Sequence, residues 1–183
     1  MNIEYEVKVL DIDVDQVKHQ LLKLGASYIW KKEFRRYVYD MTPPQKEKWI
    51  RLRTDGKITT LTCKHILDSN AIDGVREWEF EVWDFDIANE FLEQIGYIAK
   101  SYQENIRESY ILDNCSIEID ARPLIPIYLE IEGPSRDDVL QVLNLLELGN
   151  LECTSENTTK IYEKYWIDNI DKCLYLWFDK IVK

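Results

Sequence analysis

The sequence predicts an α+β fold: an eight-stranded antiparallel β-barrel, closed or nearly closed, with helices packed on the outside. Three observations carry this. Stretches that alternate apolar and polar residues recur at about 3–10, 28–40, 48–54, 58–65, 75–83, 98–111, 115–121 and 126–132, which is the period-two signature of strands with one apolar face. Turn pairs such as Asp55-Gly56 and Asp113-Asn114 join neighbouring stretches as hairpins. Glu-x-Glu recurs at Glu4-Tyr5-Glu6, Glu79-Phe80-Glu81 and Glu130-Ile131-Glu132, each copy followed by a helical run that ends at Gly25, Gly96 or Gly149. Hairpins interleaved with helices point to an antiparallel sheet curled on itself.

The helices follow from start and stop signals. Asp13 with Gln16 resembles a capping box, Val14, Val17, Leu21 and Leu24 form one stripe, and Gly25 stops the run. Asp86 is expected to cap a second helix with Phe91 and Ile95 in its buried stripe and Gly96 at its end. Ser135 caps a third, with Val139, Val142, Leu143 and Leu146 inward. Residues 157–166 and 171–182 read as two further helical pieces. The chain is expected to be one domain over 1–183, with a helical extension at about 167–183.

The 183 residues carry a formal net charge of −11. Such repulsion argues against nonspecific binding to nucleic acid or an anionic membrane. The N-terminal residues hold no basic or apolar leader, and Cys173 to Val182 is too short and too charged to span a bilayer. Cys63, Cys115, Cys153 and Cys173 form no Cys-x-x-Cys pair, so zinc and redox motifs are unsupported. Reduced thiols in a cytoplasm are the expectation. No GxxxxGK[ST] loop is present, and neither His19 nor His65 sits in a nucleophile pairing.

Strand parity carries the functional signal. Arg51 and Arg53 share a face opposite Ile50 and Leu52; Thr60, Thr62 and Lys64 share a face; Glu77, Glu79 and Glu81 oppose Trp78, Phe80 and Val82. Arg107 aligns with Asn105 and Ser109, Glu118 and Asp120 oppose Ile117 and Ile119, and Glu130 and Glu132 oppose Leu129 and Ile131. A solvated sheet has no need for adjacent like charges, which cost stability. A closed barrel with a charged interior gives them a use: cations for phosphates, and carboxylates for a hard divalent metal that bridges them.

Glu4-Tyr5-Glu6-Val7-Lys8 resembles the ExExK signature of the CYTH, or triphosphate tunnel metalloenzyme, superfamily. The ordered series after it strengthens the likeness: Arg51-Leu52-Arg53, Leu61-Thr62-Cys63-Lys64, Arg76-Glu77-Trp78-Glu79, Arg107, Ile117-Glu118-Ile119-Asp120, Tyr128-Leu129-Glu130-Ile131-Glu132-Gly133 and Lys160-Ile161-Tyr162. It spans about residues 1–166. The resemblance implies an eight-stranded triphosphate tunnel that binds a triphosphate-bearing small molecule with Mg2+ or Mn2+, and leaves room for a homodimer. It implies Lys8, Arg51, Arg53, Lys64, Arg107 and Lys160 as phosphate ligands, with Glu79 a further acid of the substrate site. It implies Glu4, Glu6, Asp120, Glu130 and Glu132 as the metal set. Glu4, Glu6, Lys8, Arg53, Glu130 and Glu132 are the expected catalytic group, with Glu118 supporting Asp120.

Two departures stand out. Only three residues precede Glu4, so the His-Phe pair often found there in class IV adenylate cyclases is missing. Asn105 stands where the family often has Lys, which removes one cation. Tyr37, Tyr39, Trp49 and Trp78 are available either to stack on an organic group at a tunnel mouth or to pack against helices. The expected activity is metal-dependent hydrolysis of a triphosphate, tripolyphosphate first and thiamine or nucleoside triphosphate next. A cyclase of the same fold and a non-enzymatic binder of phosphorylated ligand or polyphosphate are the rivals.

Overall fold

The computed structural model describes residues 2–68, 71–167, 175–176, 178 and 181–182. Eight strands form the wall: β1 (Asn2–Val9), β2 (Ser27–Asp40), β3 (Lys48–Thr54), β4 (Thr59–Ile66), β5 (Val75–Val82), β6 (Ala99–Leu112), β7 (Cys115–Ala121) and β8 (Tyr128–Gly133). They hydrogen-bond in the order β6-β2-β3-β4-β5-β1-β8-β7, and β7 pairs back onto β6. Every pairing in this ring is antiparallel. The ring is therefore closed, and each strand turns one face into a lumen and one outward.

The outward faces build the core. Val7, Val9, Ile117, Ile119, Leu129 and Ile131 pack against Val17 and Leu21 of α1 (Val14–Lys23) and Val139, Val142 and Leu143 of α3 (Arg136–Leu145). Asp13 and Ser135 cap these helices as the sequence predicts, each accepting backbone N–H groups of the first turn. The third helix does not run to Gly149. Glu147 takes the left-handed position (φ 58°), and the Leu148 N–H returns to the Leu143 carbonyl, which closes the helix earlier.

The second helix, α2 (Phe85–Gln94), departs from expectation in two ways. Its cap is Asp84, which accepts from the N–H groups of Asp86 and Ile87, so Asp86 lies in the first turn. Its buried face carries Phe85, Ala88 and Leu92 against Tyr39 and Leu52, while Phe91 is 62% exposed. The segment holds two apolar stripes, Phe85/Ala88/Leu92 and Ile87/Phe91/Ile95, and the aromatic outer wall of β2 selected the one headed by Phe85. Tyr37 stacks on Phe85 at 5.2 Å, so Tyr37 and Tyr39 pack on the helix side and not in the tunnel.

A short strand β9 (Cys153–Thr154) pairs with β1 and leads into α4 (Thr158–Lys164), whose Ile161 and Tyr162 bury beside Leu10, Ile125 and Tyr128. The expected helix over 171–182 is not borne out where it is described. Tyr175–Leu176 forms β10, parallel to Tyr102–Gln103 of β6, and Ile181–Val182 forms β11, which pairs with β10. Aromatic and β-branched residues favour extended backbone, and the free upper edge of β6 offers them a ladder. Apart from Phe178, the rest of 168–183 lies outside the described residues.

Gly133 ends β8 where it meets α3. A Cβ there would stand 2.7 Å from the Cys115 Sγ and 3.2 Å from a Val139 methyl. Gly133→Ala should therefore destabilise the protein by about 1–3 kcal/mol in urea denaturation. Adding Cys115→Ala should recover part of that loss, because it removes the nearer atom.

Candidate active site in the tunnel

The lumen is a cavity of about 1240 Å³. Its charge is divided by arc. Consecutive strands β6, β2, β3 and β4 contribute Arg107, Arg36, Arg51, Arg53 and Lys64, with Thr60 and Thr62 between them. Strands β5, β1, β8 and β7 contribute Glu77, Glu79, Glu6, Glu130, Glu132 and Glu118, with Lys8 their embedded cation. The structure thus brings these side chains together on the face that strand parity predicts, and Asn105 and Ser109 share Arg107's inward row.

Ion pairs cross the boundaries of the arcs. Arg51 meets Glu77 at 3.1 Å and Glu79 at 3.2 Å, and Lys64 meets Glu77 at 3.1 Å. Arg107 binds Asp120 at 2.8 Å, Glu130 at 2.9 Å and also Glu118. Lys8 binds Glu6 at 2.6 Å. Burial alone would lower Lys8's pKa, but Glu6 and Glu130 overcome it and keep the ammonium charged.

The Glu6 and Glu130 carboxyls are close enough for the charge of Glu130 to act on Glu6. Burial raises the Glu6 pKa. Burial acts the same way on Glu130, but Arg107 and Lys8 outweigh it and hold that group well below the usual range. Of the two carboxyls, Glu6 is the one whose pKa is raised. Asp120 is fully buried: Oδ1 accepts from Asn105 at 2.7 Å, and Oδ2 accepts from Arg107, Arg122 and Tyr128. Arg122 and Arg107 outweigh burial and hold its pKa at about 2. In this geometry Asp120 braces two arginines.

Arg53 is different. The charge on Arg51, then burial, then the charge on Arg107 pull its pKa down to about 9. Its nearest carboxylate, Glu79, is 3.8 Å away, and its guanidinium lies over the Phe34 ring at 5.0 Å. A cation held among cations is the electrostatic mark of a site for an anion.

Two expected residues stand apart. Lys160 is on α4 at one mouth, half exposed and paired with Glu163 at 2.7 Å. Glu4 pairs through its backbone with Val75 on β5, but its side chain lies outside the described set. Trp49 and Trp78 both line the cavity, Trp78 with Lys48 over its ring at 5.9 Å. Arg36, Gln103, Trp30 and Phe34 also line the cavity and were missed. Alternation from Phe34 through Arg36 to Val38 was the signal that could have found Arg36.

Among the described residues, no three His, Cys, Asp or Glu side chains stand ready to hold a metal ion, and no helix is long and apolar enough to cross a membrane.

A CYTH domain family model matches residues 2–162. This chain belongs to the CYTH family, the class of protein that its closed, charged tunnel defines. Solved structures agree on the fold. A Pyrococcus horikoshii protein shares 23% identity at TM-score 0.71, over 82% of this chain and 94% of its own. A putative adenylate cyclase from Vibrio parahaemolyticus shares 16% at 0.72, over 89% and 98%. A Hippeastrum putative adenylyl cyclase, described as having a dominant triphosphatase activity, shares 15% at 0.61, over 88% and 93%. No curated protein matches significantly.

Asp120→Asn should cost about 3–5 kcal/mol, because the buried Arg122 loses its carboxylate partner and Arg107 loses one of three. The folded pKa of about 2 lies below the ordinary 3.8, so this contribution is complete above about pH 4 and fades as pH falls toward 2. The acid limb of a stability–pH curve in that window should be shallower in Asp120→Asn than in the wild type.

Proposed function

We propose that this protein is a divalent-metal-dependent triphosphate hydrolase, with tripolyphosphate its first substrate and thiamine or nucleoside triphosphates next. The supporting observation is Arg53, a cation set among Arg51 and Arg107 on a wall facing the lumen. A polyphosphate laid along this arc supplies the negative charge that the protein leaves out. Arg51, Arg53 and Arg107 offer planar forks to phosphate oxygens, and Lys8 and Lys64 offer point charges. Lys160 guards the mouth.

The opposite arc suits a hard cation. Its donors are all carboxylate oxygens, and a divalent ion would offset the repulsion that Glu130 exerts on Glu6. Mg2+ and Mn2+ complete their shells with waters and substrate phosphates, so few protein ligands suffice. Glu6, Glu130 and Glu132 would hold the ion, with Glu4 beside them on β1. Bound there, the metal would neutralise charge on the terminal phosphoryl group and acidify a water. The tunnel residues fix the phosphate chain, and the carboxylates orient the attacking water. Attack at the terminal phosphorus breaks one phosphoanhydride bond and yields orthophosphate and pyrophosphate from tripolyphosphate.

Trp30, Phe34 and Trp49 on the cavity wall favour a second reading, a class IV-type adenylate cyclase in which the ribose 3′-OH attacks the α-phosphate of ATP. Product identification separates the readings. Tripolyphosphate, thiamine triphosphate and ATP are each incubated with Mg2+ or Mn2+; orthophosphate supports the hydrolase, and cyclic AMP with pyrophosphate supports the cyclase. Affinity with no turnover under any condition would leave a binder.

Arg53→Ala should weaken tripolyphosphate binding by about 1.5–3 kcal/mol in calorimetric titration. Arg53→Lys should stay impaired, since an ammonium cannot copy a bidentate fork. Full affinity in both variants would contradict the phosphate assignment. Glu6→Gln should abolish turnover and leave circular dichroism unchanged.

A further inference from the structure

We propose that Arg36 forms a phosphate subsite together with Arg53, with Asn105 as its positioning residue; this rests on the triphosphate reading above. Arg36 is 7% exposed and lines the cavity. Its register partners are Arg53 on β3 and Gln103 on β6. Like charges directly opposite one another destabilise a sheet, and here both are arginines.

The surroundings of Arg36 do not resolve that cost. One Nη donates to the Asn105 Oδ1 at 2.5 Å, and the Asn105 amide is itself fixed by donating to Asp120 at 2.7 Å. The Arg36 Nε is buried without a hydrogen-bond partner. Among the described residues no carboxylate stands within ion-pair distance of it, whereas Arg51, Arg107 and Arg122 each have one. Burial, then the charges of Arg122 and Arg51, depress its pKa, with Asp120 opposing them and Arg53 adding to the depression.

A buried cation of this kind weakens the empty fold. Asn105 aims the fork without neutralising it, so the charge remains available to the lumen. A phosphoryl group between the Arg36 and Arg53 forks would relieve both. Asn105 is then no loss of grip on the substrate. The cation that position 105 lacks is supplied by the neighbouring strand.

The test moves the charge. Tripolyphosphate, and separately pyrophosphate, are titrated by calorimetry into wild type, Arg36→Gln and the double variant Arg36→Gln/Asn105→Lys, with thermal unfolding of each unliganded protein. Arg36→Gln should lower tripolyphosphate affinity about 10- to 100-fold while leaving the unliganded melting temperature equal or higher. The double variant, which returns an ammonium to the same space from β6, should regain most of the affinity. A merely structural arginine would give the opposite pattern: a lower melting temperature and unchanged affinity. That result overturns the proposal, as does lost affinity that the relocated charge fails to restore. Failure of the wild type to bind either anion would instead overturn the triphosphate reading itself.

Discussion

The pairing of β7 with β6 is the constraint on which the rest of the structure depends. It joins the two ends of the eight-strand order along Ile106–Leu112 of β6 and leaves only the upper part of that strand open to β10. Without it, the charged faces would be the wet side of an open sheet, and their ion pairs would be screened and weak. With it, Arg107 reaches Glu118, Asp120 and Glu130 from across a strand junction. Closure therefore converts an amphipathic pattern into a low-dielectric chamber where charge is strong.

Charge inside the chamber is balanced unevenly. Asp120, Arg107 and Arg122 form an ion-paired cluster on the β7 side that holds the wall in shape. Glu6 and Glu130 are two buried carboxyls whose charges oppose one another, and Arg53 is a cation set among cations. The protein thus has an excess of positive charge on one arc and of carboxylate oxygen on the other. A polyphosphate with a divalent ion matches both deficits at once, and neither component alone does.

Much of this was legible in the sequence because period-two alternation assigns faces without any knowledge of pairing. Arg51, Arg53, Lys64, Glu79, Arg107, Glu118 and Glu130 all take the inward side that alternation gives them. Three features escaped. Arg36 sits beside Arg35, and β2 carries irregularities at Tyr28/Trp30 and Val38/Tyr39, where alternation slips. In α2, the stripes through Phe85 and Phe91 satisfy helical spacing equally well, and only packing against Tyr39 and Leu52 chooses between them. The strand character of Tyr175–Leu176 depends on a parallel partner some seventy residues earlier in the chain, which no local pattern reveals.

A shortage of negative charge in the empty tunnel, which a polyphosphate makes good, has one direct test: thermal unfolding in tripolyphosphate without metal, against sodium chloride of equal ionic strength. The melting temperature should rise with the logarithm of tripolyphosphate concentration, with no rise in the salt series and a smaller one in Arg53→Ala. Identical melting temperatures in tripolyphosphate and in matched sodium chloride, up to several millimolar, would contradict it.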